Sequence, residues 1–531
     1  MGPSYVVYVP RFAYLTMGRA SALVAAIFFA VVLAAQAQES IEEVALPPWS
    51  EPTLPSSEPE PSAQAAPLPS TQEPPAPEPA SSAPEALPST PAEPLPSSAE
   101  QLPSAEQAFP SSGPLSISTP NYTTAYTEVV PAPVATGPYG RSYNAFPAGE
   151  TVYSGEPRRF HYMLSLTVRG VWDDNIFISH TNKVSDYYFA IEPVITIGVG
   201  DIQGRSRSYL RLDYMPSAIL FVDHSDEDAF NQYIHLEGGY STGRLTLTAY
   251  QDIAILQSAN LNSFYDTTGL WANTDASAPT RTNIFYTRLT ANYQLTGKIS
   301  LQAEFDSPSY AYPGNISNYT ISGGLYLYYH WLPKLSVGIG GTFGHTWVDD
   351  PSTDQTFEQI NLRLEYQMTA KLNLYASGGV EFRQFDGNRD TYDSPVFELG
   401  ALYHPFNGTN ISLVAGRTIY ASGYVANQDF GATYVSARFQ QRLFQRLYLG
   451  LGVGYEHSNY FVTDRDVTGA TRDDDYWFIE PSLDVLITRW LSAGVYYLHR
   501  EQTSDDNGAP GGQNFFNWED NQVGVRATVR F

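Results

Sequence analysis

The sequence of 531 residues contains no cysteine. This absence excludes disulfides, thiolate metal ligands, a cysteine nucleophile and an acylated N-terminal cysteine as a membrane anchor. Charged residues are also sparse, at 16% against roughly 25% in typical soluble domains. Basic residues are the scarcer kind, and the net charge is -26. Because nucleic-acid binding requires Lys and Arg to neutralise phosphates, no nucleic-acid partner is expected.

Long apolar runs are scarce as well, and the one from Ala20 to Ala35 could be taken for a membrane helix. It is shorter than the roughly 20 residues of a comfortable span. Arg11 and Arg19 precede it, and Ala35-Gln36-Ala37 follows it as a small-x-small cleavage site. We therefore predict a signal peptide at residues 1–37. Since no second such run exists, entry into a membrane would require a β-barrel.

Residues 38–150 differ in composition from the rest of the chain. They hold most of the 39 prolines, and neither Lys nor Arg occurs from Ala20 to Gly140. A segment dominated by Pro, Ala, Ser and Glu cannot bury enough apolar surface to offset its chain entropy. We predict a disordered or polyproline-like acidic segment in the periplasm. It would act as a spacer or, alternatively, as a tether that contacts the cell wall or a periplasmic partner.

Residues 151–531 follow a period of two. In Gln359–Met368, polar residues such as Arg363 and Glu365 alternate with apolar ones such as Ile360 and Leu362. Successive side chains of a strand point to opposite faces, so each such segment has one wet face and one apolar face. A soluble sandwich alternates in the same way. The aromatic content of 14%, with 38 tyrosines, favours an apolar face that meets lipid and its interface.

Short and long connections alternate between these segments, which is typical of an outer membrane barrel. Eight short turns join sixteen strands, and one further strand at each end makes eighteen, with sixteen as the alternative. We predict an all-β fold: a single large antiparallel transmembrane β-barrel of about 18 strands after the disordered segment. The short turns are predicted at Asp201–Arg205, Ser241–Arg244, Leu295–Lys298, Trp331–Lys334, Met368–Lys371, His404–Thr409, Phe444–Leu447 and Thr488–Trp490.

The last strand carries a separate signal. Its apolar residues alternate with Gly524, Arg526, Thr528 and Arg530, and the chain ends on a phenylalanine. This pattern resembles the terminal strand that the barrel-assembly machinery of outer membrane proteins recognises, although a soluble edge strand could also end in this way. The residues of the predicted assembly signal are Val523, Val525, Ala527, Val529 and Phe531.

Ionisable residues recur on the inward phase of the predicted strands. Rows of both signs that face one another across a lumen tune its ion preference. Alternatively, these ions pair with one another, fill the lumen and close it. The predicted pore-lining residues are Arg169, Arg207, Arg211, Asp213, Arg288, Glu304, Asp306, Arg363, Glu365, Glu381, Arg383, Arg438 and Arg526.

Patterns typical of enzymes are weak. Gly239–Gly243 matches the Gly-x-Ser-x-Gly nucleophile elbow, but it falls in a predicted hairpin turn without a following helix, so turn glycines explain it better. No metal or cofactor site is predicted. Acidic clusters in predicted outer loops are interpreted as solvated surface, or as groups that bridge to lipopolysaccharide through divalent cations. These clusters are Asp223, Asp226 and Asp228; Asp349 and Asp350; and Asp473, Asp474 and Asp475.

The barrel region resembles the β-barrel porin families whose first strand is followed by Asp-Asp-Asn. Here that stretch lies in Val171–Ile176, and Ser185-Asp186 and Ile191-Glu192-Pro193 follow on the second strand. A related Ile-Glu-Pro recurs at Ile479–Pro481. The resemblance implies an outer membrane barrel that forms a pore. It names no solute, and the N-terminal segment is not part of the pattern.

We therefore expect a porin-like channel in the outer membrane of a Gram-negative-type bacterium, through which small hydrophilic solutes diffuse without chemistry or cofactor. The alternatives are a barrel that exports polysaccharide or another polymer, and a plugged structural or adhesive barrel. The expected partners are outer membrane lipid, lipopolysaccharide and the barrel-assembly machinery, with a homotrimer as a candidate assembly.

Overall fold

The computed structural model describes residues 160–200, 208–257, 281–387, 391–463, 472–506 and 516–531. The predicted signal peptide (1–37), the predicted acidic segment (38–150), Arg207 and the turn Asp201–Arg205 lie outside the described residues. No helix in the described ranges is long and apolar enough to cross a membrane.

The described chain forms eighteen strands, as the turn pattern predicted. Polar and apolar residues alternate over long segments, and this period of two favours strands over helices in every one of these segments. The strands are β1 (Phe160–Asp173), β2 (Asp186–Gly200), β3 (Ser208–Phe221), β4 (Ala229–Thr242), β5 (Leu245–Leu256), β6 (Thr282–Gln294), β7 (Ile299–Ala311), β8 (Asn318–Leu332), β9 (Leu335–Val348), β10 (Gln355–Thr369), β11 (Leu372–Phe385), β12 (Thr391–Tyr403), β13 (Thr409–Ala421), β14 (Gln428–Leu443), β15 (Leu447–Val462), β16 (Arg472–Leu486), β17 (Leu491–Asp506) and β18 (Trp518–Arg530).

The sheet closes on itself. Each strand pairs antiparallel with the next, and β1 pairs with β18 in a register that runs from Ser165–Arg530 to Asp173–Gln522. The backbone N–H of Phe531 adds a hydrogen bond of 2.9 Å to the carbonyl of Leu164. Closure satisfies the backbone groups that an open sheet would leave at its edges, which is the condition for strands to cross hydrocarbon.

The outer face of the closed sheet is apolar. On β10, Ile360 and Leu362 are 63% and 60% exposed, whereas Asn361 between them is buried. The same alternation repeats around the barrel, where exposed outward side chains include Phe189, Leu325, Ile339, Leu449 and Val525. An apolar belt outside and polar side chains inside are the features of a transmembrane β-barrel.

The two ends of the barrel differ in their connections. Seven of the eight predicted short turns lie within the described residues, and each joins two strands at the predicted place. Trp331 and Trp490 are exposed at the end of the barrel that carries the short turns, where an aromatic girdle is expected. The connections at the opposite end, which we call the outer mouth, are longer.

The prediction for the outer loop before β16 was wrong at the C-terminal end of that loop. Asp473, Asp474 and Asp475 were expected on a solvated outer loop, but β16 begins at Arg472 and pairs with β15 and β17 through these residues. Asp474 is 1% exposed on the inner face and binds Arg472. The acidic composition masked the start of a strand because an inward arginine, Arg472, neutralises the buried carboxylate of Asp474 there.

Candidate functional site

The inner face of the wall is lined by ion pairs that link neighbouring strands. Arg169 on β1 is buried, and its Nε lies 2.9 Å from Oε2 of Glu192 on β2. Its Nη1 also donates to the hydroxyl of Tyr496, at 2.9 Å, on β17. Charge-assisted hydrogen bonds of this kind are stronger than neutral ones. The pair therefore fixes the inner wall on both sides of β1.

A second pair spans four strands of the wall, from β7 to β10. Arg363 on β10 donates Nη1 and Nη2 to the two carboxylate oxygens of Glu304 on β7, at 2.8 and 2.9 Å. Its guanidinium lies 3.3 Å from the ring centroid of Tyr326 on β8, which with β9 lies between the strands of the two ions. Glu365 lies two residues further along the same face. This arrangement combines a bidentate ion pair with a cation–π contact.

The other predicted pore-lining residues within the described chain lie on inner-facing positions too. Arg438 occupies such a position on β14, and the rest form ion pairs. These pairs are Arg211 with Asp213 (2.8 Å), Arg383 with Glu381 (2.7 Å), Arg526 with Asp484 (2.7 Å), and Arg288 with Asp306. That these side chains line a conducting pore stays a prediction.

Several inner ions escaped the sequence reasoning. Asp252 binds Tyr233 and His235, at 2.5 Å each, and Arg500 binds Asp520. Both carboxylates are buried. A phase error of one residue inverts the face that a strand residue is assigned to. The recurring Ile-Glu-Pro was a usable signal, since Glu192 and Glu480 both lie on the inner face.

The wall is split near the outer mouth. Pairing between β12 and β13 runs only from Phe397–Arg417 to Tyr403–Ile411, within strands that the structure describes in full. Beyond Arg417, β13 continues paired with β14 alone, up to Ala421–Asp429. Residues 418–432, which we call the inward hairpin, therefore leave β12.

The inward hairpin lies inside the barrel. Asp429 has the same phase as Val435, which is 41% exposed on the outer face, yet Asp429 is only 2% exposed. Its carboxylate accepts from Gln355 on β10 at 3.2 Å and lies 3.5 Å from Arg383 on β11, both on the inner face. At the point of departure, Arg417 Nε donates to Ser394 Oγ on β12 at 3.4 Å. Side chains that would face outward if the hairpin stayed in the wall, such as Asp429, therefore pack on the inner wall.

The opposite face of the hairpin is aromatic. Phe430 stacks on Tyr460 of β15, with ring centroids 4.8 Å apart, and Tyr420 packs beside Phe430. Just below the hairpin, Tyr434 packs against a buried cluster that includes Tyr476 and Phe478 of β16. Aromatic side chains consequently occupy the outer part of the lumen.

The hairpin tip reaches across the outer mouth. The backbone N–H of Ile316, in the β7–β8 loop, donates to the carbonyl of Gly423 at 2.9 Å. A Cβ at Gly423 would lie 2.8 Å from the Tyr312 ring, so this approach requires glycine. Asn427 N–H donates to Ser352 Oγ of the β9–β10 loop at 3.0 Å. Three outer loops are thereby joined over the lumen.

The β1–β2 loop, residues 174–185, folds inward as well. Ile176 and Ile178 are both buried, and Ile178 belongs to the cluster that Tyr434 contacts. Ile178 adopts a φ of 45°, which a β-branched residue rarely does. Surrounding contacts must hold this conformation. Chief among them is Asn175, which is fully buried. Its side-chain amide donates to the carbonyls of Ser179 and Glu519, at 2.9 and 2.8 Å, and accepts from the N–H of Ser179.

Replacing Asn175 with alanine is expected to lower the free energy of unfolding by about 1–3 kcal/mol, because buried backbone groups lose their partners. Urea unfolding followed by tryptophan fluorescence measures the change. Thr181→Ala, at an exposed position of the same loop, is the control and should leave the free energy unchanged. Equal stability of all three chains would contradict the anchoring role of Asn175.

Two other predicted features have plain positions in the structure. The Gly-x-Ser-x-Gly stretch ends β4 and turns directly into β5, and Ser241 Oγ lies 3.1 Å from Thr246 Oγ1. The expected hairpin turn is confirmed. On β18, Val523 and Val525 face outward, and Phe531 is exposed at the end of the strand. Recognition of these residues by the assembly machinery stays a prediction.

The strand pairing and the apolar exterior decide the class of protein. The fold is that of an outer membrane β-barrel. The predicted resemblance to β-barrel porins is confirmed at the level of the fold, as are the transmembrane strands and the outer membrane class of the protein.

No protein-family model and no curated protein matches the chain. Among solved structures, the chain is similar to Pseudomonas aeruginosa OccK3 (OpdO), with 12% identity, a TM-score of 0.36, and coverage of 70% of this chain and 96% of that one. Acinetobacter baumannii OccAB3 has 11% identity, a TM-score of 0.36, and coverage of 70% and 99%. A bacterial polysaccharide outer membrane secretin has 7% identity, a TM-score of 0.29, and coverage of 70% and 98%. The assignment of the fold rests on the strand pairing of the chain itself.

Proposed function

We propose that the protein is a porin-like channel of the outer membrane for passive diffusion of small hydrophilic solutes. The observation that carries the proposal is the inner wall, which is built from charged and polar side chains on successive strands. A barrel that only anchored its loops would gain nothing from burying ions, because each buried charge costs desolvation. Diffusion through such a lumen requires neither chemistry nor a cofactor, so no enzymatic activity is proposed.

The charge of the wall supports a preference for cations. Among the described residues, buried carboxylates outnumber buried arginines. Some carboxylates are held by neutral or weakly basic donors: Asp252 by Tyr233 and His235, and Asp173 by Gln522. A lumen with excess negative charge attracts small cations and repels anions. The inward hairpin and the β1–β2 loop narrow this lumen, so the solutes should be small.

Single-channel recording in a planar bilayer tests the proposal. The full chain, extracted from the outer membrane, is expected to give discrete open steps and a reversal potential that indicates cation selectivity in a salt gradient. A second chain without residues 38–147 should behave identically if the acidic segment is a spacer. Conductance that appears only after this truncation would make the segment a plug.

Silence of both chains would overturn the channel proposal in favour of a plugged structural barrel or an exporter. The inward hairpin is the observation that favours a plugged barrel. The exporter would be distinguished by loss of a secreted polymer when the gene is deleted, in cells that otherwise retain their permeability to small solutes.

A further inference from the structure

Three carboxylates meet at the seam where the barrel closes. Asp173 ends β1, Asp174 begins the β1–β2 loop, and Asp520 lies on β18. One oxygen from each lies within 4.8 Å of the other two. Asp173 and Asp520 are buried, with 1% and 0% exposure, and Asp174 is partly buried. We call these residues the seam triad.

The charge of the seam triad is only partly compensated. Arg500 on β17 is the cation that binds it, through Nε to Asp520 Oδ2 at 2.9 Å. The donors to Asp173 and Asp174 are neutral: backbone N–H groups and side-chain amides, at 2.7–3.0 Å. Three carboxylates against one guanidinium leave two negative charges in a buried site, where they repel each other strongly.

The second oxygen of Asp520 points to a missing ligand. Its Oδ2 accepts from Arg500 and from Gln522, but its Oδ1 is buried and has no hydrogen-bond partner. A buried carboxylate oxygen without a donor is costly, and native structures normally satisfy such atoms. An ion among the three carboxylates would satisfy Oδ1 and offset both surplus charges.

We propose that the seam triad binds one divalent cation, Ca²⁺, which ties the first strand to the last. The ligands are all carboxylate oxygens, without the His or Cys that zinc prefers, and hard oxygen ligands suit Ca²⁺. Ca²⁺ accepts six to eight oxygens in flexible geometry, so water completes its shell. The ion also secures the loop that begins at Asp174. This site is independent of whether the barrel conducts.

The test uses the full chain in detergent after treatment with EDTA. Isothermal titration with CaCl₂ alone is expected to show one site per chain, and Ca²⁺ should raise the melting temperature more than Mg²⁺, which demands stricter octahedral geometry. Asp174→Asn should weaken binding about tenfold or more while still accepting from Asn521. Asp520→Asn should abolish binding. Asp226→Asn, an exposed acid in another outer loop, is the matched control.

Loss of binding in Asp174→Asn, in a chain that still shifts its gel mobility on boiling, supports the site even where Asp520→Asn does not fold. Three results would overturn it: no heat of binding at millimolar Ca²⁺, native binding by Asp174→Asn, or equal weakening by Asp226→Asn. A melting temperature that does not change when Ca²⁺ or Mg²⁺ is added, but rises as the pH falls, would indicate instead that two carboxylates of the seam triad share a proton.

Discussion

A variant in which the β13–β14 hairpin is shortened, so that it no longer projects into the lumen, is expected to conduct several-fold more current than the native chain. In this variant an Asn-Gly turn replaces residues 418–432 and joins Arg417 to Thr433, which lie opposite each other in the register. Asn-Gly favours the two-residue turn that such a pair of strands requires. The deletion removes Tyr420 and Phe430 from the lumen and releases the contacts of Gly423 and Asn427 over the outer mouth. Single-channel conductance in planar bilayers measures the result.

The control shortens another outer loop without touching the lumen. Residues Ser225–Glu227 form a 3-10 turn between β3 and β4 with no buried side chain, so their deletion should leave the conductance unchanged. Swelling of liposomes in neutral sugars of increasing size gives a second readout, because the shortened chain should admit larger sugars. Equal conductance and equal size limits in folded native and shortened chains would mean that the inward hairpin does not limit passage.

The wall of the barrel could be predicted from the sequence because the alternation of polar and apolar residues within each strand identifies its inner and outer faces. Ile360 and Leu362 point outward and Arg363 inward, as their alternation indicates, and the turns at Trp331–Lys334 and Thr488–Trp490 lie where the alternation breaks. These features depend on local residues and on the period of two. The count of eighteen strands follows from them.

The inward hairpin could not be predicted in this way. Asp429 keeps the phase of the outward residues of β14, and the sequence carries no mark of the split between β12 and β13. Its inward position is decided by distant partners, Gln355 and Arg383, on strands that are adjacent to each other but not to β14. Alternation describes the faces of a strand, but it does not say which wall each face meets when a hairpin separates from one neighbouring strand, here β12, and stays paired with the other, β15.

Arg363→Gln is expected to lower the free energy of unfolding by about 3–5 kcal/mol, the usual cost of leaving a buried charge without its partner. Arg363 and Glu304 are only 11% and 9% exposed, and loss of the guanidinium strands the carboxylates of Glu304 and Glu365. The contact with Tyr326 is lost as well. Glu304→Gln should be similarly destabilising. The double variant, Glu304→Gln with Arg363→Gln, should recover most of the lost stability, because Glu365 is then the one carboxylate of this group that lacks the guanidinium. Urea unfolding in detergent measures all four chains.

The matched control is the exposed ion pair of Lys183 and Glu519, whose side chains are 32% and 47% exposed. Lys183→Gln should cost less than about 1 kcal/mol, since water screens a surface pair. If Arg363→Gln costs no more than this control, the interior ions face open water and the lumen is wide at their level. If Arg363→Gln lowers the free energy of unfolding by the expected amount of about 3–5 kcal/mol, Arg363 and Glu304 are shielded from water. In that case Arg363→Gln, which removes a cation from the wall, should still sharpen the cation selectivity of the channel.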